Sequence, residues 1–431
     1  MPVEVMMSEF DLFKPDSVQN NVDKWMYQEF TSLAALQHGS PIEFAIPGGP
    51  SLAINLSKTQ LYIRAKITKA DGTAPAADAE VGPVNLTLQS LFSTVDVILN
   101  GKMISDQSQF GPYRAYLETL LTYSEDVLKT RMQSEVWYKD TAGKMKISKS
   151  VGANSDNAGL KDRAAVFTTG KEVEMIGRLH ADLFHQNLCL PASMPLKIKL
   201  TPSKDKFVLI ADDAELYRLE IVDARLFIHT FEMTKALAMA QEEALMHANL
   251  RYPIQHVTMK TLTIPTGMTS SLHDNIYLGQ LPDRIVIGMV SDAAMSGAYK
   301  LNPFNFENFG VNYLALTVNG ETVPNKPYQP DFAKGLYIRE LNSLYDAMAL
   351  TGSNKTISIN KADYASGYTL YAFDLTSDNS ASKSSSAPKS GTVRLEVKFA
   401  AQTTETINVL LYGEFRSRIE IDKYRNVVVP Y

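Results

Sequence analysis

His180, His185 and Cys189 stand close together in the sequence, and imidazole and thiolate are the side chains that hold zinc. A zinc site needs three or four converging donors. No second cluster of such residues follows, so loop or core packing is the reading, with no metal and no cofactor expected. The other histidines, His38, His229, His247, His256 and His273, are scattered. Glu242-Glu243 and Asp212-Asp213 are adjacent carboxylates. Neighbours on a helix or strand point apart, whereas acid/base catalysis by two carboxylates needs them to face each other. Solvated faces are therefore expected. The chain has no Gly-x-Ser-x-Gly elbow, His-Glu-x-x-His helix, phosphate loop or Gly-x-Gly-x-x-Gly turn. No catalytic, cofactor-binding or metal-ligating residue is assigned, and the chain is not expected to be an enzyme.

Three further segments could bind a partner. Lys144-Met145-Lys146-Ile147-Ser148-Lys149 alternates charge with apolar residues, which suits a phosphate backbone or equally a half-exposed strand. The serine tract Ser380–Ser386 could accept phosphate but reads as a solvated loop. Tyr299, Phe304, Phe306, Phe309 and Tyr313 crowd one long loop. Aromatic loops form carbohydrate or partner sites. Here burial, under the loop or between subunits, is the favoured reading.

Composition narrows the class. The chain has 431 residues, 45% hydrophobic and 21% charged, as in packed globular proteins. Its formal net charge of -5 lacks the basic excess of a protein that coats nucleic acid. One cysteine permits no intrachain disulfide and suits a reducing compartment. The segment Met1–Leu12 carries Glu4, Glu9 and Asp11 and does not read as a signal peptide. No run of 18 apolar residues suggests a membrane span. The sequons at Asn55, Asn85 and Asn354 read as chance matches.

The elements that would position these residues are mostly strands. Leu61–Ile67, Leu196–Leu200 and Val393–Phe399 alternate apolar and polar side chains, so one face meets a core and the other meets water. Polar, turn-rich segments separate them at Ala70–Pro83, Ser148–Gly159, Ser296–Gly310 and Thr376–Gly391. Such a pattern predicts antiparallel sandwiches.

An internal repeat is the most informative feature. Val95–Ile104 and Leu314–Val323 each hold an Asn-Gly pair, Asn100-Gly101 and Asn319-Gly320, between strand-like runs. Asn-Gly fits a two-residue type I′ turn, which sets Leu99 opposite Lys102 and Val318 opposite Glu321. An amphipathic helix follows each hairpin. One follows Gly111-Pro112-Tyr113 through Tyr116, Leu117, Leu120 and Leu121. The other follows Gly335-Leu336-Tyr337 through Leu341, Leu344, Tyr345 and Met348. Each half closes with two more strands, Leu196–Leu200 with Tyr217–Phe231 and Val393–Phe399 with Ile407–Ile421. Two homologous β domains in tandem are inferred. The expected division is an N-terminal arm over 1–38, a first sandwich over 39–233, a linker helix over 234–251 and a second sandwich over 252–431. The arm, with Trp25 and Tyr27, is expected to dock on its own body or a neighbour, or to form a short surface helix over Val22–Leu36.

Over roughly residues 40–431 the chain resembles double jelly-roll major capsid proteins. The stretch Val95–Tyr123, with its Ile-Leu-Asn-Gly-Lys hairpin and Tyr-Arg-Ala-Tyr-Leu-Glu-Thr-Leu-Leu helix, is similar to capsid proteins of the Polinton/Maverick and adintovirus group, as is Ser271–Val290. The resemblance implies an all-β fold with a few short helices: two tandem eight-stranded antiparallel jelly-roll sandwiches. It implies a homotrimer of pseudo-sixfold outline, tiling an icosahedral shell around double-stranded DNA with minor capsid and penton proteins. The chain would reside in the virion after synthesis in the host cytoplasm or nucleus. Its outer tower would draw on Ser148–Gly159, Ser296–Gly310 and Thr376–Gly391. Without an Arg-rich tail, any contact with packaged DNA would be weak and local. The alternative is a tandem jelly-roll binding module, a glycan- or receptor-binding protein using Phe304, Phe306 and Phe309.

Overall fold

A computed structural model of the chain describes residues 18–49, 52–105, 109–151, 155–191, 193–212, 215–377 and 387–429. Its four large sheets carry two short side strands, Leu190–Pro191 and Val427–Val428, and sixteen strands that form their continuous paths. In the first half they are β1 (Val22–Thr31), β2 (Ile42–Ile46), β3 (Leu52–Lys69), β4 (Phe92–Leu99), β5 (Lys102–Met103), β6 (Val173–Arg178), β7 (Leu196–Pro202) and β8 (Tyr217–Met233). In the second they are β9 (Leu250–Ile264), β10 (Ser270–Gln280), β11 (Arg284–Ser291), β12 (Val311–Val318), β13 (Glu321–Tyr328), β14 (Leu370–Asp374), β15 (Ser390–Phe399) and β16 (Ile407–Ile421). Four helices matter below: α1 (Gly111–Thr122), α2 (Ala158–Val166), α3 (Lys235–His247) and α4 (Ile338–Ala347).

The sheet orders are β1-β8-β3-β6 and β2-β7-β4-β5 in the first half, and β9-β16-β11-β14 and β10-β15-β12-β13 in the second. Adding eight to each first-half label reproduces the second half, and the named neighbours pair antiparallel. The fold is thus two eight-stranded jelly rolls, as the repeat predicts.

The local signals hold at the hairpins. Asn100 and Gly101 have φ of 46° and 80°, and Asn319 and Gly320 have 51° and 90°. Both turns therefore need residues that tolerate the left-handed region. Leu99 pairs with Lys102 and Val318 with Glu321. The helix repeat holds in part. Gly111 opens α1, where a Cβ would lie 2.8 Å from the carbonyl oxygen of Ser93. Gly335 instead lies before α4, at φ 71°. The two glycines align in sequence but serve different ends: close approach in one half, a turn in the other.

Three expectations need correction. Within the segment read as an arm, Val22–Thr31 docks on its own body, as a strand that pairs antiparallel with β8 over Arg225–Met233, and the alternative of a surface helix over Val22–Leu36 is set aside. The strand was hard to read because its outer face keeps Trp25 and Tyr27 exposed, packed on the His229 ring. The paired closing strands of each half lie in opposite sheets: β7 pairs with β2 and β4, while β8 pairs with β1 and β3. The basic run 144–149 is a series of turns, not a strand. Met145 is buried, and Lys144 and Lys146 make ion pairs with Asp156 and Glu307.

Each sandwich has its own core. Ile63, Ile198 and Leu226 lie at the centre of the first; Ile287, Leu395 and Leu411 lie at the centre of the second. A third buried cluster lies between them. In β11, Ile285, Ile287 and Met289 point into the second core while Val286 and Val290 join this middle cluster. In β16, Val409 and Leu411 point inward and Leu410 and Tyr412 outward, and both sets are buried. The outer face of this sheet is covered by Tyr113, Tyr116, Leu117 and Leu120 of α1, by Leu341 and Leu344 of α4, and by Phe304 and Phe306. Phe304 is fully buried and stacks on Tyr116 with ring centroids 4.2 Å apart and planes 2° from parallel. Phe304→Ala removes that stack and leaves a cavity in the joint. It should destabilise the chain by about 3–5 kcal/mol, read as a lower urea midpoint in equilibrium unfolding.

Candidate functional site at the joint between the halves

Two polar networks flank the aromatic layer. The first is built on α1. Arg114 and Glu118, one turn apart, face the same way, and Arg114 Nε donates to Glu118 Oε1 at 2.8 Å. Arg114 Nη1 lies 2.7 Å from Asp182 Oδ1. His256 on β9 reaches the other oxygen of Asp182 at 2.6 Å, and the backbone N–H of Val257 donates to Oδ1 at 3.3 Å. One carboxylate of the first half therefore ties a first-half helix to a second-half strand. Glu118 Oε2 meets His180 Nδ1 at 2.5 Å and lies 3.2 Å from His185 Nε2. The His185 contact is close enough to attract charge but out of line for a hydrogen bond, and this nitrogen is shielded from water without a hydrogen-bond partner.

These contacts set the charges. Burial works against an ionised Glu118. Arg114 and the His185 and His180 rings outweigh it and hold the carboxyl well below the usual range. Burial also opposes the charge of Asp182, but Arg114 and His256 keep that carboxyl low. Nearby Glu135 is different: burial dominates and pushes it up. A cavity of about 280 Å³ opens beside this network. Arg114, Glu118, Arg178, His180 and His185 line it from the first half, and Gln255, Arg284, Tyr412 and Glu414 from the second.

The second network centres on Arg163 of α2 and Asp140. Both are fully buried and 2.7 Å apart. Arg163 Nε donates to the carbonyl of Pro83. Asn302 of the second half donates to Asp140 Oδ2 at 3.1 Å, and Tyr368 Oη donates to the Asp140 carbonyl at 2.7 Å.

The structure separates the residues singled out from sequence. His180 and His185 come together, while Cys189 is exposed and outside their cluster. The third member is Glu118, which sequence reasoning missed along with Arg114, Asp182 and His256. The one local signal was the Arg-x-x-x-Glu spacing on a helix whose other residues are uncharged. Glu242 and Glu243 are exposed on α3, and Asp212 takes a hydrogen bond from Ser148. The tract Ser380–Ser386 and Asp213 lie outside the described residues. Of the aromatic loop, Phe304 and Phe306 are buried and Phe309 is half-buried against the second core. Ser296–Gly310 therefore turns inward. It neither offers a carbohydrate platform through Phe304 and Phe306 nor stands free as an outer loop, because covering the second sheet buries those rings. Asn55 and Asn85, two of the sequon asparagines, are buried.

Comparison with known structures places the architecture among double jelly rolls. A chain of the Sputnik virophage structure aligns over 100% of this chain and 93% of its own, with a TM-score of 0.63 and 12% identity. The PBCV-1 virus capsid aligns over 97% and 99%, with a TM-score of 0.59 and 10% identity. The mavirus major capsid protein aligns over 100% and 95%, with a TM-score of 0.57 and 11% identity. These likenesses establish a shared fold. In sequence, an uncharacterized protein of Caenorhabditis elegans is 22% identical over 410 residues, covering 92% of this chain and 94% of that protein. No family model matches. Among the described residues no helix is long and apolar enough to cross a membrane.

Arg114→Met strips Glu118 and Asp182 of their shared cation. Breaking a buried pair in this way costs about 3–5 kcal/mol, measurable as a lower urea midpoint near neutral pH. The pH dependence has a definite sign. Both carboxyls sit below their unfolded values, so their contribution is complete above the ordinary carboxylate pKa of about 4. It is lost as the pH falls below that, through the depressed folded values. Glu135, shifted upward, acts in the opposite sense. The urea midpoint should drop between about pH 5 and about pH 2, and drop less steeply in Arg114→Met.

Proposed function

We propose that this chain is a structural major capsid protein and not an enzyme. The observation that carries the reading is the pair of sandwiches with one strand order, joined by a fully covered sheet. Such a body is rigid, has flat lateral walls and needs no active site. The shared fold with the mavirus major capsid protein and the PBCV-1 capsid supports the same reading.

In this proposal three copies form a homotrimer whose six sandwiches give a pseudo-hexagonal tile. The tiles build an icosahedral shell around double-stranded DNA, with neighbouring capsomers and minor capsid or penton proteins as partners. Cyclic assembly of this kind needs two different walls of each copy that complement each other. We divide the chain into a first jelly roll ending at residue 233 and beginning with β1, a linker over 234–251 and a second jelly roll over 252–431. Thr376–Gly391 and Ser148–Gly159, of which 378–386 and 152–154 lie outside the described residues, are the candidate outward loops of this proposal. The hairpin and helix of Val95–Tyr123 support placement in the Polinton/Maverick–adintovirus group, in the virion. Lys144 and Lys146 have acidic partners, so contact with packaged DNA is weak and local.

Light scattering coupled to size-exclusion chromatography tests this. The expected particle is three times the 47.8 kDa chain mass, with a six-cornered outline in electron micrographs. A stable monomer that forms neither trimers nor shells at high concentration would sink the proposal.

A further inference from the structure

We propose that Glu118, His180 and His185 bind a divalent transition metal of the zinc type. Their ligand-capable atoms all lie within 4.8 Å of one another. Two imidazole nitrogens and one carboxylate oxygen form a donor set that suits zinc, while magnesium and calcium prefer oxygen alone. The proposal stands apart from the capsid reading.

Three features point to a ligand at this place rather than a hydrogen-bonded core. The first is the unsatisfied nitrogen. His185 Nε2 is shielded from water and makes no hydrogen bond, yet it lies 3.2 Å from the same carboxylate oxygen that His180 Nδ1 approaches. A cation between the three would satisfy all of them. The second is positioning. The other oxygen of Glu118 is held by Arg114, which is held in turn by Asp182. A carboxylate oriented in this way turns its other oxygen, which here meets His180 Nδ1, toward both imidazoles, the outer-shell arrangement common around zinc. The guanidinium charge is already countered by two carboxylates. The third is room. The adjoining cavity of about 280 Å³ offers space for water as a fourth ligand, and zinc with three protein ligands takes one. Metal–donor bonds of about 2.0–2.2 Å require the His180 ring to move away from Glu118 by roughly 1 Å, within the freedom of a side chain beside a cavity.

His180 lies two residues before the short turn Asp182–His185 and His185 is its last residue, and their ring centroids are 5.7 Å apart. Asp182 of the same turn reaches His256 on β9. Metal binding would therefore fix the turn that ties the two halves.

The test uses the untagged full-length chain, purified without metal-affinity resin and stripped with chelator. After dialysis against Zn²⁺, one metal per chain is expected by elemental analysis. Co²⁺ should give the intense visible absorption of a four-coordinate site. Zn²⁺ should raise the melting temperature. His180→Asn and His185→Asn should each weaken metal affinity by about tenfold or more while keeping the far-ultraviolet dichroism of the parent. His273→Asn, in β10, should bind as the parent does. Should one of the two site variants fail to fold, the other decides. Substoichiometric zinc in the parent would overturn the proposal. So would a Co²⁺ spectrum unchanged in the folded site variants, or stabilisation by inorganic phosphate with none by Zn²⁺.

Discussion

A β-sheet with one apolar face can stand at a surface, but a sheet apolar on both faces cannot. In this molecule β9-β16-β11-β14 is such a sheet. Ile285, Ile287, Val409 and Leu411 fill the second sandwich, and Val286, Val290, Leu410 and Tyr412 on the opposite face need a separate cover. That cover comes partly from the other half of the chain, through α1. The equivalent first-half strand β3 is different. Its outer residues Arg64 and Lys66 face the acidic partners Glu172 and Glu220 at the surface. Two sheets of the same topology thus have different outer faces, and this difference sets where the halves meet.

Burying apolar area is not directional, so the aromatic layer alone would not fix how the sandwiches sit. The polar networks supply direction. Arg114–Asp182–His256 and Arg163–Asp140–Asn302 each cross from one half to the other. A shift of the halves would strip Asp182 of His256 and Asp140 of Asn302 and Tyr368, and buried polar groups left short of hydrogen bonds cost more than those bonds contribute when intact. The apolar layer thus favours association and the networks select one geometry.

Much of this was legible in the sequence where the cause is local. Alternation in Leu61–Ile67 and Val393–Phe399 matches buried and outward residues in the structure, because a strand has a period of two. The Asn-Gly hairpins were readable because few residues accept positive φ at both turn positions. Features set by distant neighbours were not. The continuous apolar run Ile285–Val290 was a signal for a doubly covered strand, but nothing in it says that α1 is the cover. The edge strand β1 hides its period because Trp25 and Tyr27 lie on its exposed side. Lys144–Lys149 imitates a strand, yet Met145 is drawn inward against Gly367 and the lysines turn to separate acids. Glu118 lies 62 residues from His180, so no spacing rule could have joined them.

The dependence of the second half on α1 runs in one direction along the chain. A polypeptide leaves the ribosome from its amino end, and early domains fold while later ones are still being made. Residues 111–122 are therefore available before β9, β11, β14 and β16 emerge. The strand β16, which carries Leu410 and Tyr412, arrives last and finds its neighbours β9 and β11 already made. Gene order thus acts as a built-in chaperone: the adhesive surface of the later-made half emerges only after α1, the first-half part of its shield, has been synthesised.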